Sequence, residues 1–477
     1  MAITSPTLTA KANVQQVLGS DNYLDIQNNG WAQQYLPELI EQEAEVYGKR
    51  TISGFLSQVS AEEPMSSDQV IWSEQGRLHL SYECTITAAA SSTIKIAKTI
   101  DGVAQTTDHG VRVGDMVLFA GGGQTITARV SVAAAGDDDI TLTPYSVEHL
   151  DDAGFADGDD TCKLLVFGSE FAKGTVGQTR SNEPVFVSHT NKPIIIKDMY
   201  EVSGSDAAQI GWVEVSGEEG QNGYMWYLKA EGDTRARFND YLEMTCIEAE
   251  KAETASLALG GVVGTDERQG TEGLFKAITT RGHQSSGISG VNASTDLAEF
   301  DALLAAFDEN GAIEENLMYV NRATSLAIDD MLASMNSYGS GGTSYGVFSN
   351  SEDMALNLGF SGFRRGSYDF YKSDWKYLND KSTRGGINAA ATGGEAIRGV
   401  VIPAGVSSVY DQSLGQNIKR PFLHVRYRAS NLESRKNKTW ITGSVGAVTS
   451  DLDAMTVNFL SERCMVVQGA NNFCLLN

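Results

Sequence analysis

Residues 85–165 break into short β-prone runs at close spacing: Thr85–Thr87, Thr93–Ile96, Val111–Phe119, Thr125–Val132, Ile140–Pro144 and Lys163–Phe167. Turn clusters separate them, among them Gly-Gly-Gly at 121–123 and Gly-Asp-Asp-Asp at 136–139. Strands this short bury their apolar positions only by closing on one another, so the block predicts a small all-β barrel or sandwich. Further extended runs flank it, within 51–84 and at Pro184–Val187, Pro193–Val202 and Gln209–Val215. The block therefore reads as a domain inserted into one long two-stranded excursion, which requires its two ends to lie together. It holds many more Asp and Glu than Lys and Arg, which predicts an acidic outer face.

The remainder of the chain is of mixed character. Residues 1–30 are polar and without period, which reads as an extended arm ordered by a neighbour. From Trp31 to Tyr47 the apolar spacing becomes helical and Gly48 ends it. The segment 224–259 predicts a long helix, with Phe238, Leu242, Cys246 and Ala249 on one face and Gly232 as a candidate joint. Helices are also predicted at 292–307, with Ser294 or Thr295 as N-cap, and over Arg322–Met335. Residues 337–400 are rich in Gly, Ser and aromatics with little period. Strands are predicted at Met318–Val320, Gly399–Ile402, Phe422–Tyr427, Thr439–Ser444, Thr456–Leu460 and Cys464–Val467.

Composition excludes several classes of function. A length of 477 residues suffices for two or three packed units. A formal net charge of −25 argues against a surface built to grip phosphate backbones. The first residues lack a basic segment followed by an apolar one, so folding in a cytoplasm is expected. Five scattered cysteines without close spacing predict reduced, buried thiols and no zinc site. The six histidines show no metal-ligand spacing. The acidic run at 151–160 lacks the alternating ligands of a calcium loop and reads as a turn. Gly-Thr-Ser-Tyr-Gly at 342–346 follows a Gly/Ser-rich run where a nucleophile elbow needs a buried strand, so Ser344 reads as a loop residue. No catalytic, metal or cofactor-binding residue is predicted.

The most unusual stretch runs from Phe360 to Lys381 and interleaves aromatic with basic residues. Stacking of bases on Tyr368, Tyr371 or Trp375 beside Arg364 and Arg365 is one reading. Asp369, Asp374 and Asp380 would repel phosphates, which favours a subunit interface anchored by those same five residues. A core loop whose aromatics fill the domain interior is the plain alternative.

Three segments, Asn191–Val215 (NKPIIIKDMYEVSGSDAAQIGWVEV), the helix at 224–259 and Phe459–Leu476 (FLSERCMVVQGANNFCLL), stand in the order of a known family. With the polar arm, the extended excursion and the Gly-rich loops between them, the chain resembles the major capsid proteins of tailed bacteriophages. The resemblance covers nearly everything outside 85–165. It implies an α+β, Hong Kong 97-like capsid fold plus a small all-β insertion domain. Its parts would be an N-terminal arm at 1–50, an E-loop region at 51–84 and 166–215, the inserted barrel or sandwich at 85–165, a P-domain with spine helix at 216–285, an A-domain at 286–405, and C-terminal strands at 406–477. It also implies the partners: copies of itself in hexamers and pentamers, a portal protein at one vertex, scaffold and head-decoration proteins, and double-stranded DNA enclosed without sequence-specific binding. The inserted block would face outward, no membrane would be involved, and the place would be the virion after synthesis in a bacterial cytoplasm. A β-rich binding or adhesion protein with a ligand-binding module at 85–165 is the rival reading, and a hydrolase the third.

Overall fold

The computed structural model describes residues 52–477 less the segments 253–269 and 337–361, shorter stretches at 76–78, 101–102, 105–108, 134–137, 183–185, 210–214, 217–221, 289–292, 311–312, 391–395, 412–415 and 446–447, and single residues 80, 98, 179, 224 and 405. The arm at 1–50, the helix expected at 31–47 and the Gly-Thr-Ser-Tyr-Gly loop lie outside the described residues. Two compact units divide the chain, Ser73–His189 and the remainder.

The chain is described from a single helical turn, α1 (Phe55–Val59), into β1 (Ala61–Met65) and β2 (Val70–Gln75). There follow β3 (Ser81–Ala88), β4 (Thr93–Ile96), β5 (Asp115–Gly121), β6 (Gln124–Ala133), β7 (Asp139–Pro144) and β8 (Cys162–Ser169). These six strands close into a barrel in the order β8-β3-β4-β7-β6-β5. Alternation in the sequence is the cause. In β3 the side chains of Tyr82, Cys84 and Ile86 turn inward while Ser81 and Thr87 face water. Ile94, Val117, Phe119, Val130, Ile140 and Leu164 fill the interior completely, and Phe119 meets Phe155 at 5.2 Å. The glycines at 122 and 123 form a two-residue hairpin loop, both with positive φ, which side chains with a Cβ resist. The acidic run after β7 is spent on backbone hydrogen bonds: Asp159 accepts from the Thr161 N–H in a local turn, and Asp157 from the distant Ala89 N–H just after β3.

Beyond the barrel, β9 (Phe186–Asn191) pairs with β2 as a two-stranded ribbon, and β10 (Ile194–Ser203) leads to α2 (Gly204–Gln209). The strand expected at Gln209–Val215 is thus replaced at its start by helix. Gly204 lets the backbone close on Asp453, where an added Cβ would lie 2.0 Å from the carboxylate. The long helix α3 spans Met225–Glu248 and passes Gly232 without a break, contrary to the joint considered there. It also ends well before the expected residue 259. Its last turn abuts Gly273, where an added Cβ would stand 2.8 Å from the backbone of Ile247 and Ala249, and Lys251 turns into an isolated bridge with Gly270.

Further elements include α4 (Leu274–Arg281), β11 (His283–Ser285), α5 (Ala293–Asn310), β12 (Glu315–Val320), α6 (Arg322–Asn336), β13 (Gly362–Arg365) and β14 (Tyr368–Asp374). Then come α7 (Lys376–Asn379), α8 (Arg384–Ala390), β15 (Gly399–Pro403), β16 (Leu423–Arg428), β17 (Lys438–Gly443), β18 (Ala454–Val467) and β19 (Cys474–Leu476). Helix α5 begins at Ala293, so Ser294 and Thr295 lie inside it and neither is the residue before it.

Two sheets organise this second unit. One runs β1-β16-β18-β10, with β17 also on β18. Helix α3 packs on it: Phe238 and Leu242, one turn apart, meet Val457, Phe459 and Ile196. The other runs β11-β19-β15-β12-β14-β13, with α5 laid against it through Phe300, Leu303 and Phe307.

Candidate functional site

The stretch 360–381 is the first candidate, and its backbone decides most of its chemistry. Strands β13 and β14 form a hairpin at the edge of the six-stranded sheet, with Arg364 opposite Asp369 and Arg365 opposite Tyr368. Gly366 takes a positive φ in the loop between them. Period-two alternation along β14 then sends Tyr368 and Phe370 inward and leaves Tyr371 outward. Tyr368 and Phe370 join Phe300, Phe307 and Phe363 in the core under α5. The Tyr368 hydroxyl donates to Asp308 Oδ1 at 2.5 Å, and burial together with that carboxylate pushes its phenol up to about 12.

Trp375 is also buried, 5% exposed, stacked on Phe55 at 4.2 Å and edge-on to Phe275 at 6.0 Å. Tyr377 beside it donates to Glu248 Oε1 at 2.7 Å, and Arg384 reaches the other oxygen of that carboxylate at 2.8 Å. Two of the five residues expected at a subunit interface, Tyr368 and Trp375, therefore have their rings buried in the chain's own fold. Arg364, Arg365 and Tyr371 stay at the surface, Tyr371 being 40% exposed. Arg365 clasps Asp301 on α5 with two bonds of 2.6 Å, and this fork holds the Asp301 carboxyl below the usual carboxylate range. Because the pair is solvated, Arg365→Ala should cost no more than about 1 kcal/mol. Thermal unfolding checks this, and a much larger loss would mean the fork anchors the hairpin.

Two carboxylates of α3 hold the segment leading into α1. Asp240 Oδ1 accepts the N–H groups of Ile52 and Ser53, while Glu243 accepts those of Gly54 and Leu56. The N-terminus of so short a helix is thus capped from a residue far along the chain. Burial pushes both carboxyls up from their ordinary values, against the pull of those hydrogen bonds. Since the folded value lies above the unfolded one, each carboxyl favours the fold fully below its unfolded pKa, and that contribution is lost as pH rises through the folded value. Carbon-13 titration of Glu243, identified by Glu243→Gln, should give a midpoint above that of an exposed glutamate. A midpoint at or below the ordinary value would contradict the burial described.

A buried lysine went unread in the sequence: Lys372 on β14 donates to the Ser325 carbonyl at 2.9 Å and pairs with Asp329 on α6. So did Asn191, wholly buried at the end of β9. Its amide donates to the Met465 carbonyl at 2.6 Å and the Glu272 carbonyl at 3.0 Å, and its oxygen accepts from Thr271 and the Glu272 N–H.

Exposed apolar side chains mark two further surfaces. On the β2–β9 ribbon, Ile71 is 65% and Val187 52% exposed. On the barrel wall, Leu118 and Leu165 stand opposite one another on β5 and β8, with Phe167 beside them on β8. Among the described residues no group of three or more His, Cys, Asp or Glu could hold a metal ion, and no helix is long and apolar enough to cross a membrane. The five thiols are all buried, and burial lifts each of them to about 11 or 12, where a thiolate nucleophile is scarce at neutral pH.

No family model matches the sequence and no curated protein matches it. Solved structures do resemble the fold over nearly its whole length. The capsid structure of the cyanophage P-SCSP1u is 9% identical, with 93% of this chain and 92% of that one covered and a TM-score of 0.41. The mature capsid of bacteriophage PhiM1 is 8% identical over 93% and 92%, with a TM-score of 0.40. A structure from Gordonia phage Cozz is 12% identical over 98% and 99%, with a TM-score of 0.38. All three come from phages, and two are capsids.

Proposed function

We propose that this chain is a shell-building protein, the major capsid subunit of a tailed bacteriophage, with a structural and not a catalytic role. The observation that carries the reading is the ribbon. Two strands alone are marginal in water, yet β2 and β9 pair without a third strand among the described residues and hold Ile71 and Val187 out to solvent. A neighbouring copy laid against the ribbon would cover those side chains and complete the sheet. The order of parts supports the same reading: an extended excursion, a long helix on a mixed sheet, and a second α/β sheet into which the C-terminal strand is inserted.

In this reading 1–50 is the arm, the ribbon lies in the E-loop region, α3 is the spine of the P-domain, and the six-stranded sheet belongs to the A-domain. The barrel is an insertion that faces outward, since its acidic face would be repelled by packed DNA. Arg364, Arg365 and Tyr371 on the edge hairpin are a secondary contact between copies. Subunits assemble as hexamers and pentamers into an icosahedral head around double-stranded DNA, with a portal at one vertex and with scaffold and decoration proteins as further partners. Assembly takes place in a bacterial cytoplasm and the product is the virion.

Ile71→Asp with Val187→Asp tests the ribbon. Sedimentation should show loss of large assemblies, while the melting temperature of the isolated subunit stays within a few degrees of the parent. Assembly unchanged by two buried-interface charges would rule the ribbon out as a subunit contact.

A further inference from the structure

The barrel closes where its first and last strands meet, and that seam is short. Strands β3 and β8 pair over four positions, from Cys162 opposite Cys84 to Leu165 opposite Ser81. The two cysteines are therefore direct cross-strand neighbours, and residues so placed project to the same side of the sheet. Here that side is the barrel interior, where each cysteine is 1% exposed. Opposed Cβ atoms of an antiparallel pair stand about 4.5–5.5 Å apart, and a disulfide asks for about 3.5–4.5 Å. A slight approach of two strands that already touch makes up the difference.

Asp159 holds the Cys162 thiol by a hydrogen bond, and Asp159 and Asp160 beside Cys162 and Glu83 beside Cys84 disfavour both thiolates further, so closure must release the thiol from Asp159. Cys84 Sγ makes a weak bond of 3.6 Å to the Tyr82 carbonyl. Cys162 Sγ leans over Gly121 on β5, where an added Cβ would stand 2.2 Å from it. Cys162 is near enough to Cys84 to push the Cys84 thiol up further. Access comes from the turn that precedes β8, since Asp160 and Thr161 are exposed.

We propose that Cys84 and Cys162 are a disulfide-forming pair that staples the barrel seam when the chain meets a two-electron thiol oxidant such as a diazene. The bond balances simply. One thiolate adds to the N=N bond, the second thiolate attacks the sulfur so activated, and the hydrazine leaves with two electrons and the two thiol protons. Because burial holds both thiols well above their ordinary values, closure is slow at neutral pH and accelerates as pH rises. The staple then shortens the unfolded chain's freedom across the whole span between β3 and β8. Under the shell reading, leaving a reducing cytoplasm delivers the chain to oxidant. The chemistry itself does not depend on that reading.

The test uses the full-length chain treated with diamide at mildly alkaline pH, alkylated, and digested without reductant. A joined peptide containing Cys84 and Cys162 is expected, together with a rise of several degrees in the thermal transition that a phosphine reductant reverses. Both signals should vanish in Cys162→Ala and persist in Cys246→Ser, which removes a buried thiol outside the barrel. Recovery of Cys84 and Cys162 as separately alkylated peptides, or joined to other cysteines, would overturn the proposal. A joined peptide without any thermal shift would overturn the stapling role.

Discussion

Replacing Trp375 by alanine should destabilise the protein by about 3–5 kcal/mol, the usual cost of deleting a large buried aromatic. The indole stacks on Phe55 and touches Phe275, Tyr319 and Tyr377, so its removal opens a cavity where α1, α4 and the six-stranded sheet meet. Phe55 then loses the ring that holds α1, a helix of five residues with little cohesion of its own. Denaturant unfolding of the subunit checks this. An unchanged midpoint with impaired assembly would mean that Trp375 serves a partner after all, as its place in an aromatic and basic stretch first suggested.

Asn191→Ala should cost about 2–4 kcal/mol, because it strands buried backbone groups on two segments at once. The side chain ties the Met465 carbonyl of β18 to both the carbonyl and the N–H of Glu272, just ahead of α4. Asn191 is fully buried, the Met465 carbonyl that it holds is buried with it, and the Glu272 groups are partly so. Hydrogen exchange should speed up at Glu272 and along the C-terminal part of β18 in the variant. Exchange unchanged at both places would show that the amide is dispensable.

How much was legible in the sequence can be judged residue by residue. The barrel strands were readable because they are short and β-prone and several, such as β3, β4 and β7, alternate, with Gly or Asp turns between many of them, as at Gly122–Gly123. The strand β18 was read as two pieces because Ser461, Glu462 and Arg463 interrupt its apolar run. All three are buried within one continuous strand, with Glu462 bridging Arg428 and Arg435 and Arg463 bonded to the Lys436 carbonyl. Polarity marks a strand break only when no partner satisfies it, and those partners lie on other elements.

Helix α3 was read too long for a similar reason. Periodicity continues past Glu248, but the close approach of Gly273 stops it, and that contact is tertiary. For the candidate site the alternation Tyr368-Asp369-Phe370-Tyr371 was present in the sequence and already sorted inward from outward residues. Trp375 follows the strand, outside any period, and only its contact with Phe55 reveals that it is core. Asn191 gave no local signal at all, since its hydrogen bonds reach Thr271, Glu272 and Met465, residues far apart in the chain.

The central claim is that this chain builds a closed shell from copies of itself. Electron microscopy of the purified full-length protein, concentrated and stained, tests it most directly. The account predicts rings or closed particles of many subunits, with the β2–β9 ribbon lying on an adjacent copy once the particles are resolved. Dispersed single subunits at every protein and salt concentration would contradict it.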